Sequence, residues 1–185
     1  MPWRTLANGL TALRALAVVP MVWCILEQLW WSAVFLFILA VITDLLDGRV
    51  ARWREEVSRL GGVFDHAVDA FFVSSGLAAL AFQGLIPALL PVLVVLAFVQ
   101  YAMDSRILAG KALRTSFLGR NNGIAYYVVL GVCLSCQALA LSWPSSGDVR
   151  VLAWLVALST LVSMSDRAWT FYVTRRAPDS PAGGR

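Results

Sequence analysis

The chain has 185 residues, of which 59% are hydrophobic and 14% are charged, with a formal net charge of +4. Ordinary soluble domains are about 45–50% apolar and about 25% charged, and the mean hydropathy here is +0.74. The composition therefore excludes an ordinary water-soluble globule and a disordered chain, and it leaves a small helical membrane protein of one domain.

Six apolar stretches are long enough to approach the roughly 20 residues that cross a bilayer. Because lipid offers no partners to open backbone groups, each is predicted to be a helix. The predicted spans are residues 12–27, 31–48, 62–82, 86–105, 121–142 and 150–172. The fold class is thus an all-α integral membrane protein with one six-helix transmembrane catalytic domain over residues 1–176.

The two ends of the chain are predicted to lie outside this bundle. Residues 3–11 are predicted to form a short interfacial helix anchored by Trp3. No small-residue cleavage pattern follows Cys24, so the first span is expected to be retained. The segment 177–185 is rich in Pro and Gly and is predicted to be a disordered cytoplasmic tail.

The positive charges predict the orientation of the bundle. With the N-terminus inside the cell, the outer loops hold Arg150 and the other fourteen of the 15 Lys and Arg residues belong to the cytoplasmic side. This asymmetry follows the positive-inside rule and places both termini in the cytoplasm. Because these charges border hydrophobic runs, no nucleic-acid partner is expected. The predicted location is the inner (cytoplasmic) membrane.

Four acidic residues stand at the predicted cytoplasmic ends of spans two and three. Asp44 and Asp47 are three residues apart, and Asp65 and Asp69 are four apart, so each pair shares one helix face. The short connection between the helices brings all four carboxylates to one level. Clustered carboxylates repel one another, and two divalent cations such as Mg²⁺ or Mn²⁺ would balance four negative charges. The alternative is a solvated row of acids paired with nearby arginines.

Small residues lie between these acids. Gly48, Ala51 and Gly61 would allow a ligand to approach closely, and Arg52 offers a fork of donors suited to phosphate. Together with the acids they predict a site for a nucleotide that carries a pyrophosphate, facing the cytoplasm. A two-metal centre of this kind is typical of phosphoryl transfer.

The order of these residues resembles the signature of the CDP-alcohol phosphotransferase family (also called CDP-alcohol phosphatidyltransferases). The family pattern D-x-x-D-G-x-x-A-R-x(8)-G-x-x-x-D-x-x-x-D is matched at Asp44, Asp47, Gly48, Ala51, Arg52, Gly61, Asp65 and Asp69. The opening N-x-x-T-x-x-R pattern with its later proline is similar at Asn8, Thr11, Arg14 and Pro20.

The resemblance implies a reaction and the roles of its residues. The family moves a substituted phosphate, usually from CDP-diacylglycerol, to an acceptor alcohol and releases CMP. Asp44, Asp47 and Asp65 would hold one metal, and Asp44, Asp65 and Asp69 the other. Asp69 would also be the catalytic general base. The donor site would consist of Thr11, Asp47, Gly48, Ala51, Arg52 and Gly61. A homodimer is expected, because family members are typically homodimers.

The sequence leaves the identity of the acceptor alcohol undetermined. Arg106, Lys111 and Arg114 could bind a phosphate on it, or could be ordinary positive-inside charge. The chain resembles bacterial phosphatidylglycerophosphate synthases in size, which favours glycerol 3-phosphate. It departs from them at His66 and Ala70, where those enzymes usually carry Pro and Lys. Inositol phosphate, serine or a second lipid are the alternatives.

Cys133 and Cys136 form a C-x-x-C inside an apolar span, which favours small membrane-helix residues over a metal or redox site. His66 is expected to have a packing or interface role.

Other classes of protein that could carry a cluster of four acids are an ion or proton transporter and a non-catalytic membrane scaffold. Transporters usually place such acids at the midplane of repeated, broken helices.

Overall fold

The structure, a computed structural model, describes the backbone of residues 6–53, 59–107 and 117–176. Side chains are described for residues 9–46, 64–103, 118–170 and 172. In these parts of the chain the regular secondary structure is α-helical, with no strand, and the helices are joined by short turns. The helices are α1 (Leu6–Leu26), α2 (Trp30–Trp53), α3 (Arg59–Phe82), α4 (Leu89–Ile107), α5 (Phe117–Ala138) and α6 (Ser146–Arg176).

Each predicted span corresponds to one helix, and the ends differ by no more than six residues. The prediction of a separate interfacial helix over residues 3–11 is wrong for residues 6–11, because α1 runs unbroken from Leu6. A single glycine costs a helix only about 1 kcal/mol, so Gly9 does not end it. Residues 3–5 and the predicted disordered tail at 177–185 lie outside the described residues.

The helices pack as a closed ring. Each contacts two neighbours in the order α1, α2, α5, α6, α4, α3 and back to α1, and a contact between α3 and α5 crosses the interior. Large side chains such as Met21, Phe72, Leu80 and Leu130 are fully buried between the helices. The short connections in the sequence make most consecutive helices antiparallel neighbours.

The outer surface of the ring is also apolar. Leu16 and Val19 are 72% and 74% exposed, and Phe35 is 66% exposed. Among the described residues, Gly9–Leu26 and Ser146–Thr170 are long and apolar enough to cross a membrane, and Trp30–Leu46 and Leu89–Met103 are shorter apolar helices. An apolar surface of this extent is consistent with a membrane protein.

Three helices end in the same way, at one end of the bundle that we call the cap end. After α1, α3 and α5 the chain takes a positive φ at Gln28 (59°), Gly84 (74°) and Ala140 (48°). In each case the next amide bonds a carbonyl five residues back, as in Leu29 N to Cys24 O at 2.7 Å. This is the Schellman arrangement, which satisfies the last carbonyls of a helix.

Two long polar side chains join helices at the cap end. Gln83 Nε2 donates to the carbonyls of Leu26 and Ile25 at 2.8 and 3.3 Å. Arg150 Nη2 donates to the carbonyl of Gly84 at 2.6 Å. These bonds connect the end of α3 to the end of α1 and the start of α6. The start of α6 is capped by Ser145 and Asp148, which bond each other reciprocally.

Candidate active site

A buried arginine lies among carboxylates on the side of the bundle away from the cap end. Arg14 of α1 has a side chain that is 0% exposed. Its Nη1 donates to Asp44 Oδ1 at 2.9 Å and to Asp65 Oδ1 at 3.2 Å, and it also contacts Asp69 Oδ1. We call these four residues the acid cluster. One nitrogen therefore marks the point on which carboxylates from α2 and α3 converge.

The local sequence explains this convergence. Asp65 and Asp69 are four residues apart on α3, so they lie one above the other on the same face. Asp44 approaches from the neighbouring end of α2, and α1 packs against both α2 and α3. Arg14 is held in this groove by its own helix. An ionisable residue inside an apolar helix faces the interior because lipid would not solvate it.

The charges of the acid cluster do not balance. When ionised, three carboxylates bring three negative charges and Arg14 brings one positive charge, so two negative charges remain. The prediction from the sequence balanced four carboxylates with two divalent cations and did not include the positive charge of Arg14. The excess negative charge and the convergence of oxygen donors on a cationic nitrogen both suit a divalent cation. The residues present thus fit a hard metal ion.

A second grouping of ligand atoms overlaps the acid cluster. Asp65, His66 and Asp69 each offer one ligand atom, and these atoms lie within 4.8 Å of one another. His66 is exposed, and its ring meets the ring of Tyr101 edge-on at 5.9 Å. The ring contact is the kind of packing role that the sequence predicted, and the nearby ligand atoms make His66 a further candidate metal ligand.

A cavity of about 570 Å³ opens beside the acid cluster, between α3, α4, α5 and α6. Asp44 and Asp69 stand at its border. Most of its lining is apolar, including Val73, Val94 and Phe98. The polar groups that line it are His66, Gln100, Tyr101, Arg120, Asn122, Tyr126, Tyr127, Thr160, Ser163 and Arg167. Such a cavity has room for a small polar molecule next to the carboxylates.

Tyr127 of α5 joins the cavity to the acid cluster. Its hydroxyl donates to Asp69 Oδ1 at 3.4 Å. Its ring stacks on Phe72 with 6.5 Å between centroids and is tilted against Phe37 at 6.2 Å. The aromatic contacts fix the ring, so the hydroxyl bond orients the Asp69 carboxylate toward the cavity wall.

Other predicted site residues are placed only in part. Thr11 is buried on α1 one turn before Arg14, on the same face. Asp47, Gly48, Ala51 and Arg52 fall in the last turns of α2, Gly61 in the first turn of α3 and Arg106 in the last turn of α4. The side chains at these six positions lie outside the described residues, as do Lys111 and Arg114 altogether.

The site contains residues that sequence reasoning did not place there. Arg14 was counted as a cytoplasmic flanking charge, yet it is buried in the acid cluster. Its position between Leu13 and Ala15 in an apolar run was the signal that could have found it. Nothing local marks Tyr127, because a tyrosine in a membrane helix is common and only the packing of α5 on α3 brings it to Asp69.

Comparison with known proteins identifies the family of this helical bundle. A sequence model described as CDP-alcohol phosphatidyltransferase matches residues 4–165. The chain belongs to the CDP-alcohol phosphatidyltransferase family. The resemblance seen in the sequence is thereby confirmed, and family membership favours a transferase over the transporter and the scaffold.

Curated relatives resemble about half of the chain. A CDP-diacylglycerol–glycerol-3-phosphate 3-phosphatidyltransferase of Cereibacter sphaeroides is 38% identical over 103 residues, which are 52% of this chain and 46% of the relative. The CMP-forming cardiolipin synthase of Homo sapiens is 34% identical over 95 residues, 51% of this chain and 31% of the relative. The matches thus span less than half the length of these relatives.

Proposed function

We propose that this chain transfers a phosphatidyl group from CDP-diacylglycerol to an acceptor alcohol in phospholipid biosynthesis. The acceptor oxygen forms a bond to the phosphorus nearest the lipid, the bond from that phosphorus to the CMP oxygen breaks, and CMP leaves. The observation that carries this proposal is the convergence of Asp44, Asp65 and Asp69 on one cationic nitrogen beside a cavity. Family membership supplies the class of reaction.

Two divalent cations, Mg²⁺ or Mn²⁺, complete the proposed site. Asp44, Asp47 and Asp65 would hold one of them, and Asp44, Asp65 and Asp69 the other. When bound, these ions neutralise charge on the transferred phosphoryl group and on the departing CMP oxygen. The charge excess of the acid cluster supports this assignment, since Arg14 alone leaves it negative.

Asp69 is proposed as the general base. It borders the cavity, where an acceptor hydroxyl can approach it, and its side chain is 21% exposed. A carboxylate within hydrogen-bond reach of a hydroxyl can take its proton as the new bond forms. Tyr127 would keep the carboxylate in position for this step.

The donor nucleotide is proposed to bind on the other side of α3, where α1, α2 and α3 meet. Thr11 is buried on the face of α1 that carries Arg14. The proposed set for the CDP group is Thr11, Asp47, Gly48, Ala51, Arg52 and Gly61. This placement keeps the acyl chains of CDP-diacylglycerol in the bilayer while its head group meets the cytoplasm.

Glycerol 3-phosphate is the proposed acceptor, which would make the product phosphatidylglycerophosphate. The name of the Cereibacter sphaeroides relative supports it, whereas the human cardiolipin synthase favours a second lipid as the alternative. Inositol phosphate and serine are weaker alternatives. Arg106, Lys111 and Arg114 are proposed to contact the acceptor. Replacing Arg106 or Arg114 with alanine should then raise KM for a phosphorylated acceptor far more than KM for CDP-diacylglycerol.

The proposed setting is the inner membrane, with six spans, both termini inside and the active site facing the cytoplasm. The apolar outer surface of the helices and the asymmetry of Lys and Arg support it. With Arg14 placed in the acid cluster, the remaining cytoplasmic charges still greatly outnumber the one outer arginine. A homodimer, as is typical of the family, is also proposed.

One experiment tests the proposed reaction. Purified protein in detergent is given CDP-diacylglycerol, Mg²⁺ or Mn²⁺ and a panel of alcohols, and CMP release is measured. We expect release that depends on one alcohol and stops when EDTA is added. The Asp44→Asn variant serves as the inactive control. Absence of release with every alcohol, from protein with a cooperative unfolding transition, would contradict the proposal.

A further inference from the structure

The last helix is longer than the hydrocarbon core of a bilayer. α6 runs for 31 residues, from Ser146 at the cap end to Arg176, which is about 46 Å at 1.5 Å per residue. The hydrocarbon core is about 30 Å thick, or about 20 helical residues. A helix that enters the core at Ser146 therefore leaves it near Asp166. We call residues 165–176 the α6 extension, and this length places it in the head-group layer.

One face of α6 is exposed along its described length. Residues that are alternately three and four apart share this face. Its aliphatic members are 52–59% exposed and are Val151, Leu155, Leu158 and Val162. In the α6 extension the face continues with Trp169 and Tyr172, which are 67% and 46% exposed and whose ring centroids lie 6.2 Å apart. The face thus changes from aliphatic to aromatic at the depth where a bilayer changes from hydrocarbon to head groups.

Two arginines follow in register with this aromatic pair. Arg175 comes three residues after Tyr172. Arg176 comes seven residues after Trp169, and both arginines fall in the last turn of α6. Residues at these spacings belong to one side of a helix. Tryptophan and tyrosine at head-group depth, followed by arginine, are typical of a helix that meets the surface of a bilayer.

The α6 extension carries a net positive charge. It holds one acid, Asp166, and three arginines. Arg167 belongs to the opposite side of the helix, because it precedes Trp169 by two residues, or about 200°. On that side its guanidinium carbon lies 5.8 Å from the centre of the Tyr101 ring. The side of the aromatic pair therefore has two arginines against one acid, and this balance suits an anionic partner.

We propose that the α6 extension binds the head groups of anionic phospholipids at the membrane surface. Arg175 and Arg176 supply the charge that attracts the lipid phosphate, and Trp169 and Tyr172 lie at the level of the ester groups. The inference uses the proposed membrane setting but not the transferase reaction. A second copy of the chain suits this surface less well, because two α6 helices packed side by side about a two-fold axis would bring their like-charged last turns together.

The first test measures lipid affinity by native mass spectrometry. Purified protein in a non-ionic detergent is titrated with phosphatidylglycerol, phosphatidic acid or phosphatidylcholine of the same acyl chains. The variant is Arg175→Gln/Arg176→Gln, and Arg150→Gln at the cap end of the same helix is the matched control. Each basic residue near an anionic surface strengthens binding about fivefold. The double variant should therefore bind one molecule of either anionic lipid about 25- to 30-fold more weakly, with unchanged affinity for phosphatidylcholine.

A second test measures the depth of Trp169 in the bilayer. The protein is reconstituted in vesicles of phosphatidylcholine and phosphatidylglycerol that carry a nitroxide either on the head group or at the middle of the acyl chain. The difference in quenched fluorescence between wild type and Trp169→Phe is the contribution of Trp169. We expect the head-group nitroxide to quench this contribution more strongly. Since the substitution is conservative and exposed, this test decides the question if the double arginine variant does not fold.

Several outcomes would overturn the inference. One is equal affinity of wild type and double variant for the anionic lipids, and another is an equal loss of affinity in Arg150→Gln. Weaker binding of phosphatidylcholine as well would give the arginines a structural role. Stronger quenching of Trp169 by the mid-chain nitroxide would place it in the hydrocarbon. Conversion of a dimer to a monomer in Trp169→Ala, with unchanged lipid affinity, would assign the surface to a second copy. None of these measurements uses CMP release, so their outcome is independent of the proposed function.

Discussion

Replacing Arg14 with leucine tests most directly whether the acid cluster depends on this charge for stability and whether it binds a divalent cation. The variant keeps a side chain suited to the apolar interior but removes the positive charge that, among the described residues, forms ion pairs with Asp44, Asp65 and Asp69. Removal of one partner from a buried ion pair costs about 3–5 kcal/mol. Because the Arg14 side chain is fully buried and contacts all three carboxylates, we expect a value within that range rather than the small value of a surface pair.

The measurement is thermal unfolding in detergent, with EDTA and with Mn²⁺. For a chain of 150–250 residues each kcal/mol corresponds to about 2–4 °C, so Tm of Arg14→Leu in EDTA should fall by about 6–20 °C. Mn²⁺ should raise Tm of the variant more than that of the wild type. A divalent ion that binds only the folded state contributes about 2.7 kcal/mol at one hundred times its Kd, and loss of Arg14 removes a competing positive charge.

Two control variants sharpen this prediction. Arg14→Lys keeps the charge and should retain most of the stability in EDTA. Arg150→Leu removes an exposed arginine from the cap end and should respond to Mn²⁺ as the wild type does. The reasoning is refuted if Arg14→Leu unfolds in EDTA at the wild-type temperature. It is equally refuted if Mn²⁺ shifts Tm of variant and wild type by the same amount.

Four further substitutions have expected outcomes. Asp69→Asn should still bind the donor and the Mn²⁺ ion assigned to Asp44, Asp47 and Asp65, but it should lose about 10²- to 10⁴-fold in kcat, and a near-normal rate of CMP release would exclude Asp69 as the base. Tyr127→Phe removes the hydrogen bond from the hydroxyl and keeps the stacking on Phe72. The expected loss of kcat therefore corresponds to one hydrogen bond, which is about 0.5–1.5 kcal/mol of activation free energy. Ala140→Gly should raise the free energy of unfolding by up to about 1 kcal/mol, because Ala140 has a positive φ. Gly84→Ala should lower it by a similar amount, and thermal unfolding that shows no such opposite signs would contradict the cap assignment.

The helical architecture could be predicted because its signals are local. Runs of apolar residues and the break at Gln83 and Gly84 predict the spans to within a few residues. The spacing of Asp65 and Asp69 likewise predicts a shared face. The left-handed residue that follows α5 could not be predicted, since Ala140 is an ordinary helix former and only the backbone of the folded chain shows its positive φ.

Contacts between distant helices account for what the sequence did not predict. The meeting of Arg14 with Asp69 joins residues 55 apart, and Tyr127 reaches Asp69 across 58 residues. No periodicity within one helix encodes such a meeting. Arg167 likewise lies over the ring of Tyr101, which is 66 positions earlier in the chain.

The bonds of Gln83 and Arg150 at the cap end have a consequence for how large substrates enter. They join α1, α3 and α6 through backbone carbonyls, so this end is expected to open rarely. Separation of helices wide enough to admit two acyl chains would then start near Asp44 and spread only part of the way along the bundle. Amide hydrogen exchange should accordingly be slowest around Ile25 and Gly84, with faster exchange toward the carboxylates.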